Sequence, residues 1–182
     1  MIASLVFGDI TLLIAPIRRG EEDSRVDAER RAVSNLVSHA FGSSAKLAHH
    51  ASGAPYIIGS DLSISVSHCR TFAALAFSPV AVVGVDIEEQ RDQLVRVAPR
   101  VLSDEELQEY SSPALLLQAW TLKEALYKAA LTPGIDFRKD IRLPLPAGTT
   151  TAKVENCDYS VISIITEPSF TLSLVAKTNK LS

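Results

Sequence analysis

The stretch from Ser112 to Gly134 leaves the fewest choices open. Ser112 offers an N-cap oxygen, Pro113 suits a first helical position that needs no N–H, and Thr132-Pro133-Gly134 supplies a stop. Leu, Ala, Gln, Lys and Glu, all good helix formers, fill the interval, so it is read as a long helix. At about 3.6 residues per turn, Trp120, Glu124 and Lys128 stack on one side, with Lys123 and Tyr127 beside them. Taken alone, Glu124 and Lys128 form an i,i+4 pair in the favourable order, worth about 0.3–0.5 kcal/mol on an exposed helix. Such pairs are commonly just solvated faces.

A second stretch alters that reading. Val80-Ala81-Val82-Val83-Gly84-Val85-Asp86-Ile87-Glu88 is β-branched and apolar, then ends in acids, the pattern of a buried strand running out to a rim. Because side chains alternate, Asp86 and Glu88 share one face while Val85 and Ile87 take the other. Carboxylates about 7 Å apart on one face repel unless a cation or donors sit between them. Gly84, on the same face, leaves room for a backbone or a ligand to approach. Adding Glu124 from the helix makes an all-oxygen donor set suited to Mg²⁺, with Mn²⁺ as its substitute, and water and phosphate completing the shell.

Gly84-Val85-Asp86-Ile87-Glu88, followed by Trp120-Thr121-x-Lys123-Glu124-Ala125-x-x-Lys128, resembles the paired signature of the 4'-phosphopantetheinyl transferases. Upstream, Ile64-Ser65-Val66-Ser67-His68-Cys69 is similar to the Ser-His element of the longer, surfactin-synthetase-activating (Sfp-like) type. The intervening Arg100-Val101-Leu102-Ser103-Asp104-Glu105-Glu106-Leu107 matches as well, and the elements occur in the family's order.

The resemblance implies two similar α+β halves, a pseudo-dimer in one compact monomer, divided here as 1–78 and 79–182. It implies transfer of the phosphopantetheine arm of coenzyme A to a serine hydroxyl of an acyl or peptidyl carrier protein. In that reading Asp86, Glu88 and Glu124 hold Mg²⁺, which neutralises the diphosphate of coenzyme A. Pro55, Ser67, His68, Lys123 and Lys128 contact coenzyme A, with Lys128 placed to offset charge on the departing 3',5'-ADP. Glu124, or a water on the metal, takes the serine proton; both remain open. The family's Gly-Lys-Pro or Gly-Arg-Pro element stands here as Gly53-Ala54-Pro55. Its helical arginine falls at Ser34, with Arg30 and Arg31 close by. A non-catalytic paralogue that binds coenzyme A or a carrier, and a small Mg²⁺-dependent phosphohydrolase, are the alternatives.

The remaining sequence is consistent with an α+β chain, since strands and helices mix without a regular βαβ rhythm. Its 182 residues can bury a sizeable core. A net charge of −3 supplies no basic field for nucleic acid or membrane, so an acidic carrier must meet a local patch. Arg91, Arg96 and Arg100, set among Leu94, Val95, Val97, Val101 and Leu102, are the candidate docking surface. Cys69 and Cys157 make no disulfide framework, and the apolar start, broken by Gly8-Asp9, reads as two short strands and not as a signal peptide. A cytoplasmic location is expected. Ser24–Ala40 reads as an amphipathic helix, with Ala28, Ala32, Val33, Leu36 and Val37 inward. Ile64–Ser67 and Ala73–Phe77 read as strands, and Asp92–Ala98 and Ser103–Tyr110 as short helices broken by Pro99. Ile141–Leu145 reads as a further strand, and Val161–Thr166 with Phe170–Lys177 as a closing hairpin. His49-His50 are read as surface residues, because neighbours on a strand face opposite ways.

Overall fold

The computed structural model describes residues 1–91 and 93–178. The chain opens with the expected hairpin, β1 (Ala3–Phe7) and β2 (Ile10–Pro16), turning at Gly8 with φ +59°. Helix α1 (Arg25–Phe41) is capped by Ser24, whose hydroxyl accepts from the Asp27 N–H, and it buries the five residues predicted to face inward. A small ribbon, β3 (Leu47–His49) and β4 (Pro55–Ile57), leads into the hairpin β5 (Ser63–His68) and β6 (Phe72–Ser78). Next come β7 (Ala81–Glu88), α2 (Leu94–Val101), α3 (Asp104–Glu109) and α4 (Pro113–Ala130). The chain then runs through β8 (Ile141–Arg142), β9 (Thr151–Val154), β10 (Cys157–Glu167) and β11 (Phe170–Thr178).

Among the described residues all strand pairs are antiparallel, which accords with the α+β expectation. One sheet runs β1-β2-β6-β5 and the other β7-β11-β10-β9-β8. The alternation of side chains gives each sheet two buried faces. Leu12, Ala74 and Ala76 of the first sheet meet Val83, Val85, Ile87 and Leu174 of the second. On its outer face the first sheet packs Leu13, Ala73 and Leu75 against Val33, Leu36 and Val37 of α1. The second sheet's outer face packs Val175, Ala152 and Tyr159 under Leu122, Ala125, Leu126 and Ala129 of α4. Helix, sheet, sheet and helix therefore lie in four layers.

The seam between sheets is unusual in its bonding. Strands β5 and β7 are edge strands, and alternate N–H groups of β7 are taken by side chains of β5. The Ser63, Ser65 and Ser67 hydroxyls accept from the N–H groups of Val83, Val85 and Ile87 at 3.1, 3.0 and 3.3 Å. These hydroxyls cover an edge that would otherwise present free donors.

Two sequence expectations need correcting here. Pro99 does not break its helix: α2 runs on to Val101 and closes with the Leu102 N–H on the Ala98 carbonyl. Burial of Leu94 and Ala98 outweighs the lost backbone bond, and Arg138 donates to the Pro99 carbonyl. Asp92, where this helix was placed to start, lies outside the described residues, as do the last residues of the 79–182 half. The strand expected at Ile141–Leu145 is confined to Ile141–Arg142, while β9 had no clear signal in the sequence.

Candidate active site

Helix α4 crosses β7 at Gly84, and the crossing is close. A Cβ on Gly84 would lie 2.0 Å from the Ala125 carbonyl oxygen and 2.9 Å from the Ala129 Cβ. The space expected at this glycine is filled by helix backbone. That approach sets Glu124 and Lys128, one turn apart, over the face of β7 that carries Asp86 and Glu88.

Asp86 is 5% exposed and is the centre of the site. Its Oδ1 accepts from the Lys128 Nζ and from the Ser67 hydroxyl, both at 2.8 Å. Its Oδ2 is buried with no partner. Lys128 also donates to the Val85 carbonyl at 3.2 Å. Glu88 is held by Arg91 at 2.5 Å, and burial is the main reason its carboxyl is pushed up. Glu124 is pushed up to about 7, first by burial, then by the charge of Asp86 and more weakly that of Glu88, with Lys128 opposing.

The expected Asp86, Glu88 and Glu124 set is thus electrostatically coupled. Among the described residues, however, no three acidic, histidine or cysteine side chains converge as a closed ligand cluster. Lys128 holds Asp86 and Arg91 holds Glu88. The donor set still fits a hard divalent cation. An orphaned buried carboxylate oxygen and a neighbouring acid that resists ionisation are both relieved by positive charge between them.

Two grooves meet beside this centre. One, of about 530 Å³, runs between the β3–β4 turn, β5 and the C-terminal end of α4, and is walled by Gly53, Ala54, Pro55, His68, Lys128 and Pro133. The second, of about 610 Å³, lies along α1 and includes Arg30, Ser34, Lys46, His49 and His68 in its lining. His49, Val66 and His68 line both. His68 Nδ1 stands 3.8 Å from Glu29 of α1, a pairing that is ionic when the imidazole is protonated.

Of the residues expected to contact coenzyme A, Pro55, His68 and Lys128 therefore share a groove wall. Ser67 does not line it; it is 6% exposed and turned inward to Asp86. Lys123 is also elsewhere. Its side chain is 0% exposed, pairs with Glu106 at 2.8 Å, and donates to the carbonyls of Phe137 and Ile141. Lys123 therefore ties α3, α4 and β8 together and does not reach the groove. Periodicity along α4 did not reveal this, because Glu106 and Ile141, the partners of Lys123, lie on other elements.

Sequence reasoning missed Lys46 and His49. His49 and His50 are both exposed, as read from the sequence, but His49 lines both grooves, whereas His50 stacks on Tyr56 with ring centroids 4.4 Å apart. The Arg30–Ser34 spacing on α1 was the available signal for the second groove, and Arg30 does line it. Arg31 instead turns away to Asp23 and the Arg18 carbonyl. Of the docking candidates, Arg96 and Arg100 are exposed, and Arg91 is tied to Glu88. A notch of about 110 Å³ beside Glu88 is lined by Arg91, Leu94, Val97, Leu117 and Trp120.

Residues 82–171, spanning β7 through the first residues of β11, match the family model described as the 4'-phosphopantetheinyl transferase superfamily. No curated protein matches the chain. No helix among the described residues is long and apolar enough to cross a membrane.

Proposed function

We propose that this chain, which belongs through residues 82–171 to the 4'-phosphopantetheinyl transferase superfamily, moves the phosphopantetheine arm of coenzyme A to a carrier-protein serine in a Mg²⁺-dependent reaction. The observation that carries this reading is the Asp86–Glu124–Lys128 centre, whose lysine also lines a groove between β5 and the end of α4. A non-catalytic coenzyme A-binding paralogue would have no need of an acid pushed up to about 7 beside an unpartnered carboxylate oxygen.

The residues divide the work as follows. The groove walled by Pro55 and His68 takes the nucleotide end of coenzyme A and leads its diphosphate to Lys128. Arg30 and Lys46, in the adjoining groove, provide cationic side chains that Ala54 and Ser34 do not. Asp86, Glu88 and Glu124 would hold the cation, which when bound supplies charge neutralisation to the diphosphate. Lys128, 29% exposed at the groove wall, moves toward phosphate oxygens as charge grows on the departing 3',5'-ADP. Glu124, or a water on the cation it would help to hold, takes the serine proton. The pseudo-twofold relation of the halves is supported by the matching helix-on-sheet layering, and a monomer by the fact that the described chain builds both grooves itself.

Carrier docking belongs to the surface of α2 and its approach, where exposed Val95, Arg96 and Arg100 adjoin the notch beside Glu88. The test is release of 3',5'-ADP in a single turnover with coenzyme A, Mg²⁺ and an apo carrier. Wild type should release it only when the carrier is present, and Asp86→Ala should release none at ordinary Mg²⁺. Release without an acceptor would instead identify a phosphohydrolase.

A further inference from the structure

The Ser67 hydroxyl is fixed by its own bonds. Its oxygen accepts the Ile87 N–H at 3.3 Å, and its single proton goes to Asp86 Oδ1 at 2.8 Å. Ser67 is 6% exposed, while neighbouring Val66 and His68 form the groove wall. Asp86 Oδ1 thus receives two donors, from Ser67 and Lys128, and buried Oδ2 receives none.

A carboxylate with this asymmetry cannot spin freely. Rotation about its Cβ–Cγ bond would break two charge-assisted hydrogen bonds to form others. We propose that Ser67 is a positioning residue for the cation site: with Lys128 it holds Oδ1 of Asp86 and leaves Oδ2 as the oxygen presented to a divalent cation. This rests on the reading that Asp86 is a cation ligand. It assigns Ser67 to the second layer around the ion and away from the phosphates of coenzyme A, where its sequence context had placed it. Lys128 is free to turn toward a phosphate because Ser67 keeps the carboxylate oriented when the ammonium leaves.

The experiment is a Mn²⁺ titration of the full chain followed by electron paramagnetic resonance, without coenzyme A. Ser63→Ala is the control. The Ser63 hydroxyl makes the same seam bond, to the Val83 N–H at 3.1 Å, and touches no carboxylate. Ser67→Ala should weaken Mn²⁺ binding about tenfold or more, as losses of such supporting hydrogen bonds do. Ser63→Ala should stay within about twofold of wild type. Ser67→Thr, which restores the hydroxyl, should return the affinity toward the wild-type value. Equal weakening in both alanine variants, or none in Ser67→Ala, would overturn the proposal. Coenzyme A binding measured by calorimetry in chelator should be the same for wild type and Ser67→Ala, and a selective loss there would make Ser67 a phosphate contact. If wild type binds no Mn²⁺, the cation reading itself fails, and the positioning role fails with it.

Discussion

Replacing Lys123 by Met isolates the burial of a charge from its pairing. Lys123 and Glu106 have side-chain exposures of 0% and 3%, and their 2.8 Å contact is reinforced all round. Glu106 accepts the Ser103 and Leu143 N–H groups at 2.9 and 2.8 Å, while Lys123 donates to Phe137 and Ile141 carbonyls at 2.8 and 2.5 Å. Burial pushes the ammonium's pKa down, and the facing carboxylate opposes that shift. Lys123→Met leaves a buried carboxylate with backbone donors only, and Glu106→Gln leaves a buried ammonium facing a neutral amide. Each should cost about 3–5 kcal/mol, a large fraction of the roughly 5–15 kcal/mol that holds a domain folded. In the double variant neither charge remains, so the losses should not add, and a coupling of about 1–3 kcal/mol is expected. Urea unfolding of the four proteins at constant m-value measures it. Additive losses, or a Lys123→Met cost below about 1 kcal/mol, would refute the buried-pair argument. A selective loss of coenzyme A affinity in a fully stable Lys123→Met would return that lysine to the groove.

Gly84→Ala should lower the melting temperature sharply, because its Cβ would meet the Ala125 carbonyl at 2.0 Å and α4 would have to shift. A loss of about 3 kcal/mol is expected, and an unchanged melting temperature would contradict the close crossing. For pH, Glu124 titrates at about 7 when folded and near 4.5 as an ordinary glutamate. The folded chain therefore holds the extra proton between those values, and stability in chelator should fall as pH rises from about 4.5 through 7, by up to about 3 kcal/mol. Subtracting the Glu124→Gln profile should remove that fall, and identical profiles would refute the assignment. Arg96→Glu and Arg100→Glu should raise the carrier KM steeply, most at low salt, and leave the coenzyme A KM in place. Equal changes in both KM values would move the docking surface off α2.

Local chemistry makes much of the fold legible in the sequence. The cap at Ser112 places its helix because a side-chain oxygen and a free backbone donor lie only a few residues apart. The acidic end of β7 and the Glu124–Lys128 turn were readable from period alone, and the structure sets them face to face. What sequence could not resolve depends on partners far along the chain. Glu106 looks complete as a capping-box residue, yet its two oxygens also serve Lys123 and Leu143. Ser67 looks like the companion of His68, but alternation along β5 sends its hydroxyl across the seam to Asp86. Pro99 is tolerated because α2 is anchored by packing on α4.

The most direct measurement is the intact mass of an apo carrier protein after incubation with the purified chain, coenzyme A and Mg²⁺. The carrier should gain the mass of one phosphopantetheine arm on a single serine, a gain abolished by Asp86→Ala and by chelator. Across a panel of acyl and peptidyl carriers, unchanged carrier masses together with intact coenzyme A would contradict it.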